Sequence, residues 1–162
     1  MFEREIRISK QMFRLLRGIM KDVDESHFTL PIAGAKNPPA YVLCHLAMAN
    51  DSGLRLLGQP TICPPEWWSV FGPGGNPDSV PFAYPSKAEL IELLERSHAA
   101  ICQAAKSVAA DSLQEPHGIP FLADSPIQTK AEAVALLLTA HFSFHLGQLS
   151  LMRRQLGFPP VF

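Results

Sequence analysis

The stretch TAHFSFHLGQ, residues 139–148, sets two histidines four apart and a glutamine three further on, inside an otherwise mostly apolar run. Working outward, Val134, Leu138, His141, His145, Gln148 and Met152 follow a 4-3-4-3-4 spacing. That spacing keeps all six on one face of a helix. The face is apolar at its ends and polar in its middle. Buried imidazoles and amides cost free energy unless they find partners. This face therefore predicts a core helix whose interior neighbours, or a bound group, satisfy the polar side chains. The helix opens with the capping-box pattern Thr129-x-x-Glu132 and should end near Gly157, just before Pro159-Pro160.

Three more helices precede it. The first spans about residues 2–20, with Ile8, Met12, Leu15 and Ile19 as its apolar stripe. The second has Asn37 as a candidate cap and Pro38 or Pro39 in its first turn, where no amide donor is needed. It carries the stripe Val42, His45, Ala49, Ser52, Leu56 and stops near Gly58. The third opens with Ser86-x-x-Glu89 and shows Leu90, Leu94, Ser97, Ile101, Ala104 and Val108 on one face. Between the second and third helices, residues 59–85 hold seven prolines and three glycines, too many for a long regular element. Trp67, Trp68 and Phe71 in that loop are too apolar for a solvated linker; they either plug one end of the bundle, wall a pocket or meet another subunit. The fold class is all-α: a four-helix bundle forming a single domain over residues 1–162, with long loops after helices two and three.

Composition narrows the function. Hydrophobic residues make up 47% and charged residues 18%, and the formal net charge is −1, with no basic run longer than Arg153-Arg154. A broad nucleic-acid footprint is not expected. No stretch approaches the roughly 20 uninterrupted apolar residues of a membrane span, and the first residues do not form a signal peptide. The expectation is a cytoplasmic protein without a membrane partner. Cys44, Cys63 and Cys102 are odd in number and lack CxxC spacing, which suggests reduced thiols. Cys44 reads as a small buried apolar residue.

A metal ion is the simplest group to occupy the polar face. Two histidines at i and i+4 lie one helical turn apart and can share one ion. His45, on the core stripe of helix two, is the best-placed third ligand. Three histidines leave coordination positions open, the pattern of a catalytic rather than a structural site. The HExxH signature is absent, because Phe142 follows His141 and no glutamate stands within the pair. His27 and His117 fall in loops and read as solvated; His98 falls off the third helix's stripe and reads as a surface or boundary residue. The bland alternative is a set of hydrogen-bonded core histidines.

The segments VLCHLAMAND in helix two, YPSKAELIELL opening helix three and HFSFHLGQLSLMRRQLG in helix four together resemble the DinB-like metalloenzymes, over nearly the whole chain. The resemblance implies a divalent transition metal (Zn, Ni, Fe or Mn) held by His45, His141 and His145. It places Gln148 behind the ligands or facing substrate, and it implies a homodimer. It further implies a thiol-dependent S-transferase acting on a small-molecule substrate, with a low-molecular-weight thiol as co-substrate. A metal-dependent hydrolase and a non-catalytic metal-binding or dimerisation module are the alternatives. Trp67, Trp68 and Phe71 would line the approach to the metal.

Overall fold

A computed structural model describes residues 1–161 apart from Ala33, Pro73, Gly74, Asn76, Pro77 and Ser79, so part of the loop at 59–85 lies outside the described residues. Four long helices form the bundle: α1 (Glu3–Lys21), α2 (Pro39–Leu56), α3 (Lys87–Ser107) and α4 (Lys130–Gln155). There is no strand among the described residues; one isolated antiparallel bridge, Pro116 to Thr129, draws in the connection ahead of α4. The α2–α3 and α1–α4 pairs make the most extensive contacts.

Local rules explain the helix ends. Both capping boxes form: the Glu89 amide donates to Ser86 and the Glu132 amide to Thr129, while each glutamate accepts from the cap residue's own amide. Gly58 and Gly157 take φ of 69° and 90°, a left-handed conformation that closes a helix cheaply only without a Cβ. At the start of α2 the cap is Pro38 and not Asn37. Pro39 occupies the first turn, and its ring forces the preceding residue into extended backbone, so Pro38 takes the cap conformation at ψ 161°.

One stripe and one histidine differ from expectation. In α1 the buried face is Ile6, Ser9, Phe13, Leu16 and Met20, joined by Ile19, and Ile8 is 46% exposed. Both registers have helical spacing, and the observed one carries a serine. The serine is tolerated because α3 turns His98 toward it: Ser9 Oγ and His98 Nε2 stand 2.7 Å apart, and His98 stacks on Phe13 at 4.8 Å. His98 is accordingly buried, contrary to the surface position expected of it. Burial pushes its pKa down to about 4, with Lys10 adding to the shift.

The helix α4 is long and apolar enough, by length and composition alone, to cross a membrane, although His141, Ser143, His145 and Gln148 interrupt its apolar run. Within the bundle it packs one side against α1 and α2. It is also not uniformly α-helical. Residues Leu137–His141 form a π-helical turn between α-helical segments Lys130–Leu136 and Phe142–Gln155. Such turns insert one residue and re-aim the side chains around them, and they recur at functional sites. Here the turn ends on His141.

Candidate metal centre

Three imidazoles meet where α2 faces the π-turn of α4. The ring centroids of His45, His141 and His145 form a triangle with sides of 5.1, 4.6 and 4.6 Å. One nitrogen from each lies within 4.8 Å of the others. One side of the triangle, His141 to His145, follows directly from sequence spacing, since the two are one turn apart. The other two are tertiary: His45 is brought in by the packing of α2.

The hydrogen bonds fix which nitrogen each ring presents. His45 Nδ1 donates to the Phe71 carbonyl at 2.6 Å, because a carbonyl can only accept. Its Nε2 is left with a lone pair, and it faces His141 Nε2 at 3.1 Å. His145 Nδ1 sits 2.8 Å from Gln148 Oε1 and donates to it, freeing the opposite nitrogen. Nitrogens bound about 2.0–2.1 Å from a tetrahedral zinc stand about 3.3 Å apart, so the 3.1 Å separation fits two ligands of one ion. His141 Nδ1 is buried and has no hydrogen-bond partner. A shared proton between His45 and His141 satisfies one pair of nitrogens and leaves that orphan as an unpaired acceptor.

Electrostatics favour neutral rings. Burial pushes the His141 pKa down to about 3, and its two imidazole neighbours push the same way. Burial, then His45, takes His145 down to about 4 against the opposing bond to Gln148. His45 is lowered by burial, partly offset by the Phe71 carbonyl. Neutral imidazole is the metal-binding form. The donor set, its tautomers and its charge state therefore fit a divalent transition ion.

The Phe71 carbonyl is itself held in place. Asp51 on α2 is fully buried, and its carboxylate accepts from the Ile62 amide at 3.0 Å and the Cys63 amide at 2.8 Å. This clamp fixes the start of the long loop. The loop then forms the short helix Trp67–Phe71, whose last residue reaches back to His45. Asp51 was not singled out by sequence, although an aspartate six residues after His45 in an apolar helix was the available signal.

A cavity of about 730 Å3 opens beside the histidines, with His45 and His141 in its wall. Trp68 and Phe71 line it, as expected; Trp67 instead turns into the core and packs edge-on against Phe71 at 5.0 Å. His117 also lines it and is not a solvated loop residue: its Nε2 donates to the Ile127 carbonyl at 3.0 Å and its Nδ1 accepts from the Ile119 amide at 2.7 Å. His27 is exposed and stands apart. All three cysteines are buried, and burial raises each thiol pKa.

A sequence model of the DinB superfamily matches residues 10–149. The chain belongs to the DinB superfamily. No curated protein matches the sequence. Among solved structures, Bacillus subtilis YfiT, described as a probable metal-dependent hydrolase with an unusual four-helix bundle topology, superimposes with a TM-score of 0.67 at 17% identity, covering 97% of this chain and 88% of that one. At that identity the likeness carries the fold. Among the described residues, the cluster that could hold an ion is the one the DinB resemblance implied, His45, His141 and His145.

Proposed function

We propose that this DinB superfamily protein is a metal-dependent S-transferase. In this reading His45, His141 and His145 hold one divalent ion, and a small electrophile reacts with a low-molecular-weight thiol in the adjoining cavity. The observation that carries it is the convergence of three neutral imidazoles at the wall of a cavity, two of them with the distal nitrogen tied to an acceptor. A bound divalent ion supplies Lewis acidity there, lowering the pKa of a coordinated nucleophile. The chain's own residues do the rest. Phe71 and Gln148 orient two rings and fix their tautomers. Trp68 and the apolar side chains of the wall line the space beside the rings. The nucleophile comes from solution, because Cys44, Cys63 and Cys102 are buried with raised pKa values and none lines the cavity. In the transfer the thiol loses its proton to solvent, a carbon–sulfur bond forms and the leaving group departs with its electron pair.

The second reading is a metal-dependent hydrolase, in which water replaces the thiol. It draws on the description of YfiT. Turnover of small electrophiles by metal-loaded protein, with and without added thiols, separates the two. Thiol-dependent turnover that survives Cys63→Ser supports the transferase; turnover without any thiol moves the assignment to the hydrolase. Elemental analysis tests the site under both: one equivalent of ion in the parent chain, lost in His141→Ala and His145→Ala with helicity kept. Full retention in both variants removes the three-histidine assignment.

We also propose a homodimer through the outer face of α4. Phe144 is 65% and Leu151 55% exposed, on the same side as the exposed Ala140 and Gly147. Only 28% of the most apolar window of α4 is buried within the chain, and an apolar face of this kind calls for a cover.

A further inference from the structure

The cavity beside the histidines is apolar over most of its wall, and two cationic side chains reach it, Arg55 and Lys130. Lys130 Nζ already pairs with Glu115 Oε2 at 2.6 Å. Arg55 is different. Its guanidinium lies over the Trp68 ring, 4.5 Å from the centroid, and among the described residues it forms no ion pair or hydrogen bond. Stacking on an indole satisfies the face of the guanidinium and leaves its in-plane N–H fork free. That fork matches the two oxygens of a carboxylate, and the oxygens of a sulfonate or phosphate.

Arg55 and His45 stand on the same helix ten residues apart, a rise of about 15 Å. Side chains on a helix lean toward its N-terminus, so the Arg55 stem reaches back in the direction of His45. A ligand spanning both ends would carry its acid on the order of 10 Å from the atom nearest the histidines. On α2 between them the cavity is lined by Met48, Ala49 and Ser52, whose hydroxyl is turned back to the Met48 carbonyl at 3.0 Å, and Leu136, Leu137 and Trp68 add to a mostly apolar wall. The volume of about 730 Å3 suits a drug-sized molecule.

We infer that the small-molecule substrate is an organic anion with an apolar body, its acid group held by the Trp68-stacked guanidinium of Arg55 and its reactive end facing His45 and His141. This rests on the metal-enzyme reading for which end reacts; the recognition of the acid by Arg55 does not.

The test is a matched pair of probes, 4-phenylbutyrate and its neutral amide, titrated calorimetrically into zinc-loaded full-length protein. The carboxylate should bind about tenfold more tightly than the amide, the effect of one charge-assisted contact. Arg55 is exposed, so Arg55→Gln should keep the parent melting curve while the preference collapses to under about twofold, and Arg55→Lys should restore part of it. In His141→Ala, stripped of metal, the preference should persist. A preference that survives Arg55→Gln overturns the inference; if it then vanishes in His141→Ala, the acid sits on the metal. Equal binding of both probes to the parent, or binding of neither, overturns it as well. Metal content, measured separately, tells failure of the metal-enzyme reading apart from failure of this one.

Discussion

Replacing Asp51 with alanine should weaken both the fold and the metal centre. The carboxylate is fully buried and accepts from two backbone amides, Ile62 at 3.0 Å and Cys63 at 2.8 Å. In Asp51→Ala the Cys63 amide is left buried without an acceptor, a loss of about 2–3 kcal/mol for a bond to a charged group. Ile62 is half-buried and can find water, so its loss is nearer 1 kcal/mol. The sum is about 3–4 kcal/mol, which for a chain of 162 residues lowers Tm by roughly 10 °C. Asp51→Asn keeps one acceptor oxygen and should lose about half as much. The damage also travels along the loop, because the released segment carries Phe71, whose carbonyl orients His45. Urea unfolding followed by far-UV circular dichroism measures the first effect, and competition with a chelator of known affinity measures the second. An Asp51→Ala protein within about 0.5 kcal/mol of the parent would refute the clamp. A destabilised variant with unchanged metal affinity would keep the clamp and refute its coupling to the site.

Gln148→Leu removes the acceptor behind His145 Nδ1 and should lower metal affinity about 10–100-fold with the fold retained, while Gln148→Glu should restore or strengthen binding; chelator competition showing parent affinity in Gln148→Leu would count against that role. The metal-free protein should lose stability as pH falls. His98, His141 and His145 have folded pKa values pushed down to about 4, 3 and 4, below the ordinary 6.5, so the unfolded chain takes up protons first. Their contribution is complete above about pH 6.5 and declines as pH falls, to about pH 4 for His98 and His145 and about pH 3 for His141; at pH 5 the loss for His98 alone is about 2 kcal/mol. A urea midpoint unchanged between pH 7 and pH 5 would contradict this. Light scattering should give a dimer mass that Phe144→Asp converts to a monomer with unchanged helicity; a parent chain that stays monomeric on concentration removes the α4 interface.

Local chemistry made much of the molecule legible in the sequence. The capping boxes at Ser86 and Thr129, the stops at Gly58 and Gly157, and the i,i+4 placement of His141 and His145 depend on residues a few positions apart, and each appears in the structure as the sequence indicates. The convergence of His45 on that pair was readable as a stripe position but not as a contact. What the tertiary structure alone decided are pairings between distant segments. The buried face of α1 can carry Ser9 because His98 lies opposite it, 89 residues away, and periodicity cannot rank two stripes of helical spacing when the partner that satisfies a polar residue is on another helix. The same reason hid the Asp51 clamp, the Phe71 carbonyl behind His45 and the seat of Arg55 on Trp68. The π-turn ending at His141 belongs with them: helical periodicity gives no sign of it, and it shows only in the backbone of α4, where the Thr139 hydroxyl donates to the Ala135 carbonyl at 2.6 Å.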